Sequence, residues 1–124
     1  MKLRGVRGAI TVERDEKALI IAATERLLRA MVEVNRFEPE EIASALFTVT
    51  PDLHSEFPAA AARKMGWTYV PMLNFTEIGV ESSLARCIRV MVHIHTEVAQ
   101  RDIVHVYLEG AEVLRPDLLK KTKR

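Results

Sequence analysis

Apolar residues recur along this chain with two periods, and the switches between them predict its elements. Residues 3–12 are rich in β-branched and small side chains, broken by Gly5 and Gly8. This predicts a first strand whose glycines permit a bulge or a close backbone approach. Asp15 stands where an N-cap belongs, ahead of a helix over 16–35. There Ile20, Ala23, Leu27, Met31 and Val34 repeat at steps of three and four, one apolar stripe. Glu25 and Arg29 stand at i and i+4 on the wet side, in the favourable order. A connection or short helical turn follows over 35–40, with Pro39. Residues 42–50 predict a second strand, apolar on both faces through Leu46, Phe47 and Val49, and Pro51-Asp52 ends it because proline cannot donate to a continuing ladder.

Residues 55–65 predict a short alanine-rich helix stopped by Gly66. The extended stretch 67–75 is interrupted by Pro71, which predicts an edge strand or a strand end. Residues 77–86 fit a loop followed by a helical turn. The strongest strand is 87–97, with Ile88, Val90, Val92 and Ile94 on one face and Arg89, Met91, His93 and His95 on the other. A last strand over 104–108 sets Val104, Val106 and Leu108 opposite His105 and Tyr107. The basic tail, 117–124, is expected to fray. With no repeat and no linker, the expectation is one domain over 1–124 of mixed α and β class (α/β, α+β). It has five strands, one long helix and one short one. Strands apolar on both faces need cover on both sides, and one helix layer covers only one. The other face is therefore expected to bury against a second subunit.

Composition narrows the function by exclusion. A chain of 124 residues with 48% hydrophobic and 28% charged side chains can bury a core unaided. Its 18 basic and 17 acidic residues leave a net charge of +1, so no global field selects nucleic acid or a membrane surface. One cysteine, Cys87, excludes an internal disulfide and a multi-thiolate metal site. No apolar run reaches the roughly 18 residues of a membrane span, and the N-terminus lacks a signal-peptide core, so a cytoplasmic protein is expected.

Walker glycine loops, dinucleotide fingerprints, nucleophile elbows and HExxH pairs are absent. Gly5-x-x-Gly8 lacks the third glycine of a phosphate cradle. His93-x-His95 is a metal pair or a pair of interface histidines, and without an apparent third ligand no metal is expected. Cys87 beside Arg86 and Arg89 is either activated by their field or a small buried strand residue. Glu77 is a general base or a surface carboxylate. The unusual feature is arginine inside strands, Arg4, Arg7 and Arg89. A strand arginine among apolar neighbours needs a carboxylate, an interface or a ligand, because burying it unpaired is very costly. That leaves a structural ion pair or a pocket for a small carboxylated ligand, whose geometry the guanidinium fork matches.

The segments RGVRGAITVERD (4–15), TPDLHSEFPAAAAR (50–63), GWTYVP (66–71), CIRVMVHIHTEV (87–98) and HVYLEGAEVLRPDL (105–118) closely resemble the AroH-class, monofunctional chorismate mutases. The likeness runs over nearly the whole chain in the same order. It implies a homotrimer with a pseudo-α/β-barrel core and active sites between adjacent subunits. The implied reaction is the Claisen rearrangement of chorismate to prephenate, towards phenylalanine and tyrosine, with no cofactor. By the same resemblance Arg89, in CIRVM, is the donor to the ether oxygen and a substrate carboxylate. Arg7 is a carboxylate clamp, Tyr107 helps bind the same end, and Glu77 accepts a hydrogen bond from the ring hydroxyl. Phe57 and Leu114 are apolar walls, while Arg63 and Arg115 are cations at the cleft mouth, over which the tail either folds or stays idle. Asn74 departs from the pattern by replacing a cysteine near the ring hydroxyl, and Ala60 by replacing a basic entrance residue. The rivals are a trimeric module that binds small carboxylates without turnover, a trimeric enamine or imine deaminase whose motifs these do not resemble, and a purely structural oligomer.

Overall fold

The computed structural model describes residues 1–114; Arg115 and the 117–124 tail lie outside the described residues. Among the described residues five strands form one sheet: β1 (Lys2–Thr11), β2 (Ile42–Val49), β3 (Met72–Thr76), β4 (Cys87–Thr96) and β5 (Val106–Leu108). The described residues also hold the helices α1 (Lys17–Asn35) and α2 (Ala59–Lys64), with 3-10 turns at Pro39–Glu41, Gln100–Asp102 and Glu109–Leu114. The strand order is β3-β2-β4-β1-β5. The central β4 runs antiparallel to β1 and β2, while β5 joins β1 and β3 joins β2 in parallel. β4 takes the centre because its even-numbered residues Ile88, Val90, Val92 and Ile94 are all buried. No helix among the described residues is long and apolar enough to cross a membrane.

One face of the sheet carries the main core. Val6, Ile10, Ala45, Phe47 and the β4 residues pack there against Ile20, Leu27, Leu28 and Met31 of α1. Thr24 joins the buried face as well, its hydroxyl donating to Ile20 O at 2.7 Å, which satisfies the polar group without leaving the helix. Gly8 is where α1 sits closest: a Cβ there would run into Met31 Sδ and come within 3.1 Å of Leu27. The predicted close approach is therefore to the helix, and β1 pairs with β4 from Lys2 to Thr11 with no bulge.

Asp15 does not cap α1. Glu16 holds the N-cap position without a side-chain bond, and Asp15 instead accepts the backbone N–H groups of His54 and Ser55, both at 3.0 Å. The same contacts explain why α2 begins at Ala59 and not near 55, since the chain before it is tied to the β1–α1 connection and then meets Pro58. Gly66 ends α2 as predicted. Its φ of +93° is in the left-handed region, its N–H donates to Arg63 O, and Trp67 N–H donates to Ala62 O, a Schellman pattern.

The opposite face is only partly covered. A small cluster of Ala9, Cys87, Tyr107 and Ala111, with Leu84 and Leu114 against it, closes the β1–β5 end. Elsewhere Arg89, Met91 and His93 are half-buried, and Leu3, Leu73 and Phe75 remain exposed.

Candidate active site

Register brings two of the three strand arginines to one place; Arg4 alternates to the other face, where its Nε donates to Val98 O at 3.1 Å. Alternation puts Arg89 of β4, Arg7 of β1 and Thr48 of β2 on the open face, and the β2–β4 pairing sets Thr48 directly across from Arg89. Glu77 follows β3, its N–H donating to Val49 O at 2.8 Å, so its side chain comes over the same face. These four line a cavity of about 290 Å³ with Leu46, Phe75, Val90 and Met91. A larger cavity of about 780 Å³ lies between α1 and the ends of β1 and the 84–86 segment; it holds the Arg26–Glu109 pair but neither Arg89 nor Glu77.

Arg89 and Glu77 form a two-pronged pair. Arg89 Nε donates to Glu77 Oε2 at 2.9 Å and Nη2 to Oε1 at 2.5 Å, the fork matching the carboxylate edge to edge. Thr48 Oγ1 donates to the same Oε2. Burial pushes the Glu77 carboxyl up, but the hydrogen bonds from Arg89 and Thr48 and the charges of Arg89 and Arg7 outweigh it. The group is held below its ordinary range. The bond to Glu77 correspondingly raises Arg89, which stays a cation at every relevant pH. With Glu77 holding the Nε–Nη2 edge, both Nη1 protons and one Nη2 proton of Arg89 remain to bind something else. Two guanidiniums and one carboxylate leave the cavity one unit positive, the sign an anionic ligand needs.

Arg89 is also a wall shared with a second cavity of about 190 Å³, lined by Thr50, Ser82, Ser83, Leu84, Cys87, Val113 and Leu114. Leu114 thus shares that second cavity with Arg89. Arg7 lies over the Tyr107 ring, 6.0 Å from its centroid, and the 1% exposed Tyr107 has no partner for its hydroxyl among the described residues. The structure therefore gathers Arg7, Glu77, Arg89, Tyr107 and Leu114 around one end of the sheet.

Phe57, Arg63 and Asn74 stand elsewhere within the chain. Phe57 is 62% exposed on the segment entering α2, and Arg63 is exposed in the last turn of that helix, which packs on α1 and β3. Asn74 pairs in register with the core residue Phe47 and so points to the helix-covered face, where its Oδ1 accepts the Ala59 N–H at 3.1 Å. Thr48 is absent from the sequence-predicted site. Its position opposite Phe47 on β2 is visible as alternation, but facing Arg89 is a matter of register, which no local pattern encodes.

The other candidates resolve differently. Cys87 is buried, and burial pushes its thiol up to about 11, so it is a packing residue and not an activated nucleophile. His93 Nδ1 lies 3.0 Å from Ser44 Oγ. Among the described residues no three His, Cys, Asp or Glu side chains gather as a metal site requires.

Residues 3–118 match the family model described as chorismate mutase type I. A chorismate mutase AroH of Bacillus subtilis (strain 168) is 49% identical over 119 residues, which span 95% of this chain and 94% of the relative. A chorismate mutase AroH of Thermus thermophilus is 50% identical over 117 residues, spanning 94% and 96%. Among solved structures, a chorismate mutase from Clostridium thermocellum superposes with a TM-score of 0.87 at 49% identity, covering 88% of this chain and 97% of its own.

Proposed function

The chain belongs to the chorismate mutase type I family, and from that membership we propose that it converts chorismate to prephenate at the cavity of Arg7, Glu77 and Arg89. Its class of activity is that of an isomerase. The reaction breaks a C–O bond and forms a C–C bond within one molecule, so it asks for a held conformation and for stabilisation of negative charge growing on the ether oxygen.

The observation that carries the reading is the Arg89–Glu77 pair. Glu77 and the strand backbone fix the guanidinium before any ligand arrives, leaving its Nη1–Nη2 end aimed at the cavity. A cation already oriented costs no reorganisation as charge develops, so it favours the transition state over the substrate. Arg7 supplies the second cation for a carboxylate, with the Tyr107 ring beneath it and the Tyr107 hydroxyl, unpartnered among the described residues, as a further donor. Glu77 keeps acceptor capacity for the ring hydroxyl. Leu114 forms an apolar wall beside Arg89.

The dianionic substrate exceeds the single positive charge of this cavity. We assign the remaining contacts to a neighbouring subunit in a homotrimer, whose Phe57 wall and Arg63 cation are exposed and do not line their own chain's cavity. Asn74 belongs to that same α2 side. Arg115, the other cation the family resemblance names, lies outside the described residues. The exposed Leu3, Leu73 and Phe75 around the open face supply an apolar surface for assembly. A cytoplasmic location is part of the same proposal.

The test is chorismate depletion with prephenate identified as product, run beside Arg89→Lys and Arg89→Ala. Removing one such donor costs about 10²–10³ in kcat. Lysine keeps the charge but cannot hold the two-pronged geometry, so Arg89→Lys should lose at least about a hundredfold while staying folded. Near-normal turnover in the lysine variant would remove Arg89 from the centre of the reaction. Chorismate binding without conversion by the unaltered protein would replace the enzyme with a binding module.

A further inference from the structure

Glu77 is held by more than its ion pair, and the extra contact comes from a different strand. Its Oε1 accepts one hydrogen bond, from Arg89 Nη2, while its Oε2 accepts two, from Arg89 Nε and from the Thr48 hydroxyl. A carboxylate oxygen has about two acceptor positions, so Oε2 is filled and the remaining capacity of Glu77 lies on Oε1. The Glu77 main chain is tied to β2 through Val49 O, yet its long side chain keeps several torsions that this bond does not fix. Arg89 alone leaves a hinge, because guanidinium and carboxylate can swing together. Thr48, β-branched and set in a strand, has a stiff χ1 and closes that hinge from the side.

We propose that Thr48 is a positioning residue: its hydroxyl fixes which Glu77 oxygen is presented to the ligand, and through Glu77 it fixes the aim of the Arg89 fork. It follows that a ligand hydroxyl meets Oε1 and not Oε2. This inference rests on reading the cavity as the mutase site. The charged and titratable groups facing Glu77 are Arg89 and Cys87 of β4 and Arg7 of β1, with Thr48 of β2 the neutral donor. Arg89 is raised by its bond to Glu77 and the Cys87 thiol is pushed up to about 11 by burial, so Glu77, held low, is the carboxyl of this cluster that gains a proton on the acid side.

The experiment measures kcat and KM for chorismate from acid to neutral pH in the unaltered protein and in Thr48→Val, Thr48→Ala and Thr48→Ser. Valine keeps the shape and removes the donor; alanine also removes any crowding, so a packing defect particular to valine does not decide the result. Both should lower kcat about tenfold with a smaller change in KM, and both should move the acid limb of the kcat profile to higher pH. Serine, which keeps the hydroxyl, should restore both features. Unaltered kcat and an unmoved acid limb in Thr48→Val and Thr48→Ala overturn the proposal, as does failure of serine to rescue. A carbon-13 NMR titration of the Glu77 carboxyl reads the same contact without turnover. A raised midpoint in Thr48→Val upholds Thr48 as the group that holds Glu77, and an unmoved midpoint overturns it. If the unaltered protein forms no prephenate, the mutase reading fails, and the titration still decides the role of Thr48.

Discussion

Glu77 ionises below the ordinary carboxylate range, so the site couples folding to acid pH. A carboxyl whose folded value is depressed contributes stability that is complete above the unfolded value of about 4.3 and disappears as pH falls through the folded one. Urea unfolding of the unaltered protein should therefore lose a component below about pH 4 that Glu77→Gln lacks. At neutral pH the glutamine variant should be less stable by about 1–3 kcal/mol. That range lies between an exposed pair and a buried one because the Glu77 side chain is 13% exposed and Arg89 36%. Equal acid profiles for the two proteins would show that the pair does not contribute to folding. Spacing alone leaves Glu77 a general base or a surface carboxylate, and only the family resemblance marks it as a site candidate. Its engagement by both Arg89 and Thr48 is not legible in the sequence, because the donors sit 12 and 29 residues away on different strands.

At the scale of elements, two glycines test two different constraints. Gly66 has a left-handed φ of +93° and nothing within 4 Å of a built Cβ, so Gly66→Ala acts through the backbone alone. It should cost about 1 kcal/mol, and Gly66→Asn should cost less because asparagine tolerates that region. Gly8 lies under α1, and Gly8→Ala must displace Met31, a flexible side chain that yields in part, for about 1–3 kcal/mol. Urea midpoints at constant slope check both; a neutral Gly8→Ala would mean that Met31 repacks without strain. Gly66 was readable because a helix stop is local. The capping role expected of Asp15 was not, because the N–H groups of His54 and Ser55 lie 39 and 40 residues away. The same holds for Asn74, whose Oδ1 caps the start of α2 from a neighbouring strand.

The whole molecule poses a division of labour. Arg7, Glu77, Arg89, Tyr107 and Leu114 converge on the open face of the sheet, while Phe57 and Arg63 project from the α2 side. A trimer that sets one group against the other makes a quantitative prediction. Sedimentation should give three times the 14.0 kDa chain mass. A folded Leu73→Asp variant should sediment as a smaller species with little turnover, since Leu73 is 57% exposed beside the open face. Co-refolding Arg89→Ala with a Phe57→Ala and Arg63→Ala double variant should recover part of the activity that each lacks at low chorismate. Some interfaces then combine two intact halves. No recovery from mixed trimers would place all of these side chains in one chain's site.

Periodicity was enough to determine five strands, a long and a short helix, the buried face of β4, the stop at Gly66 and the open face that carries Arg89. Each follows from contacts a few residues apart, where side-chain direction is set by the backbone repeat itself. The quoted motifs, in their order, were enough to indicate the family. Only the tertiary structure decided that Thr48 stands across from Arg89, that Asn74 points away from Glu77, that Asp15 holds His54 and Ser55 and that Tyr107 is buried with Arg7 over its ring. Strand register and the meeting of layers are fixed by burying one whole face at once, so they depend on residues far apart in sequence that no local repeat connects.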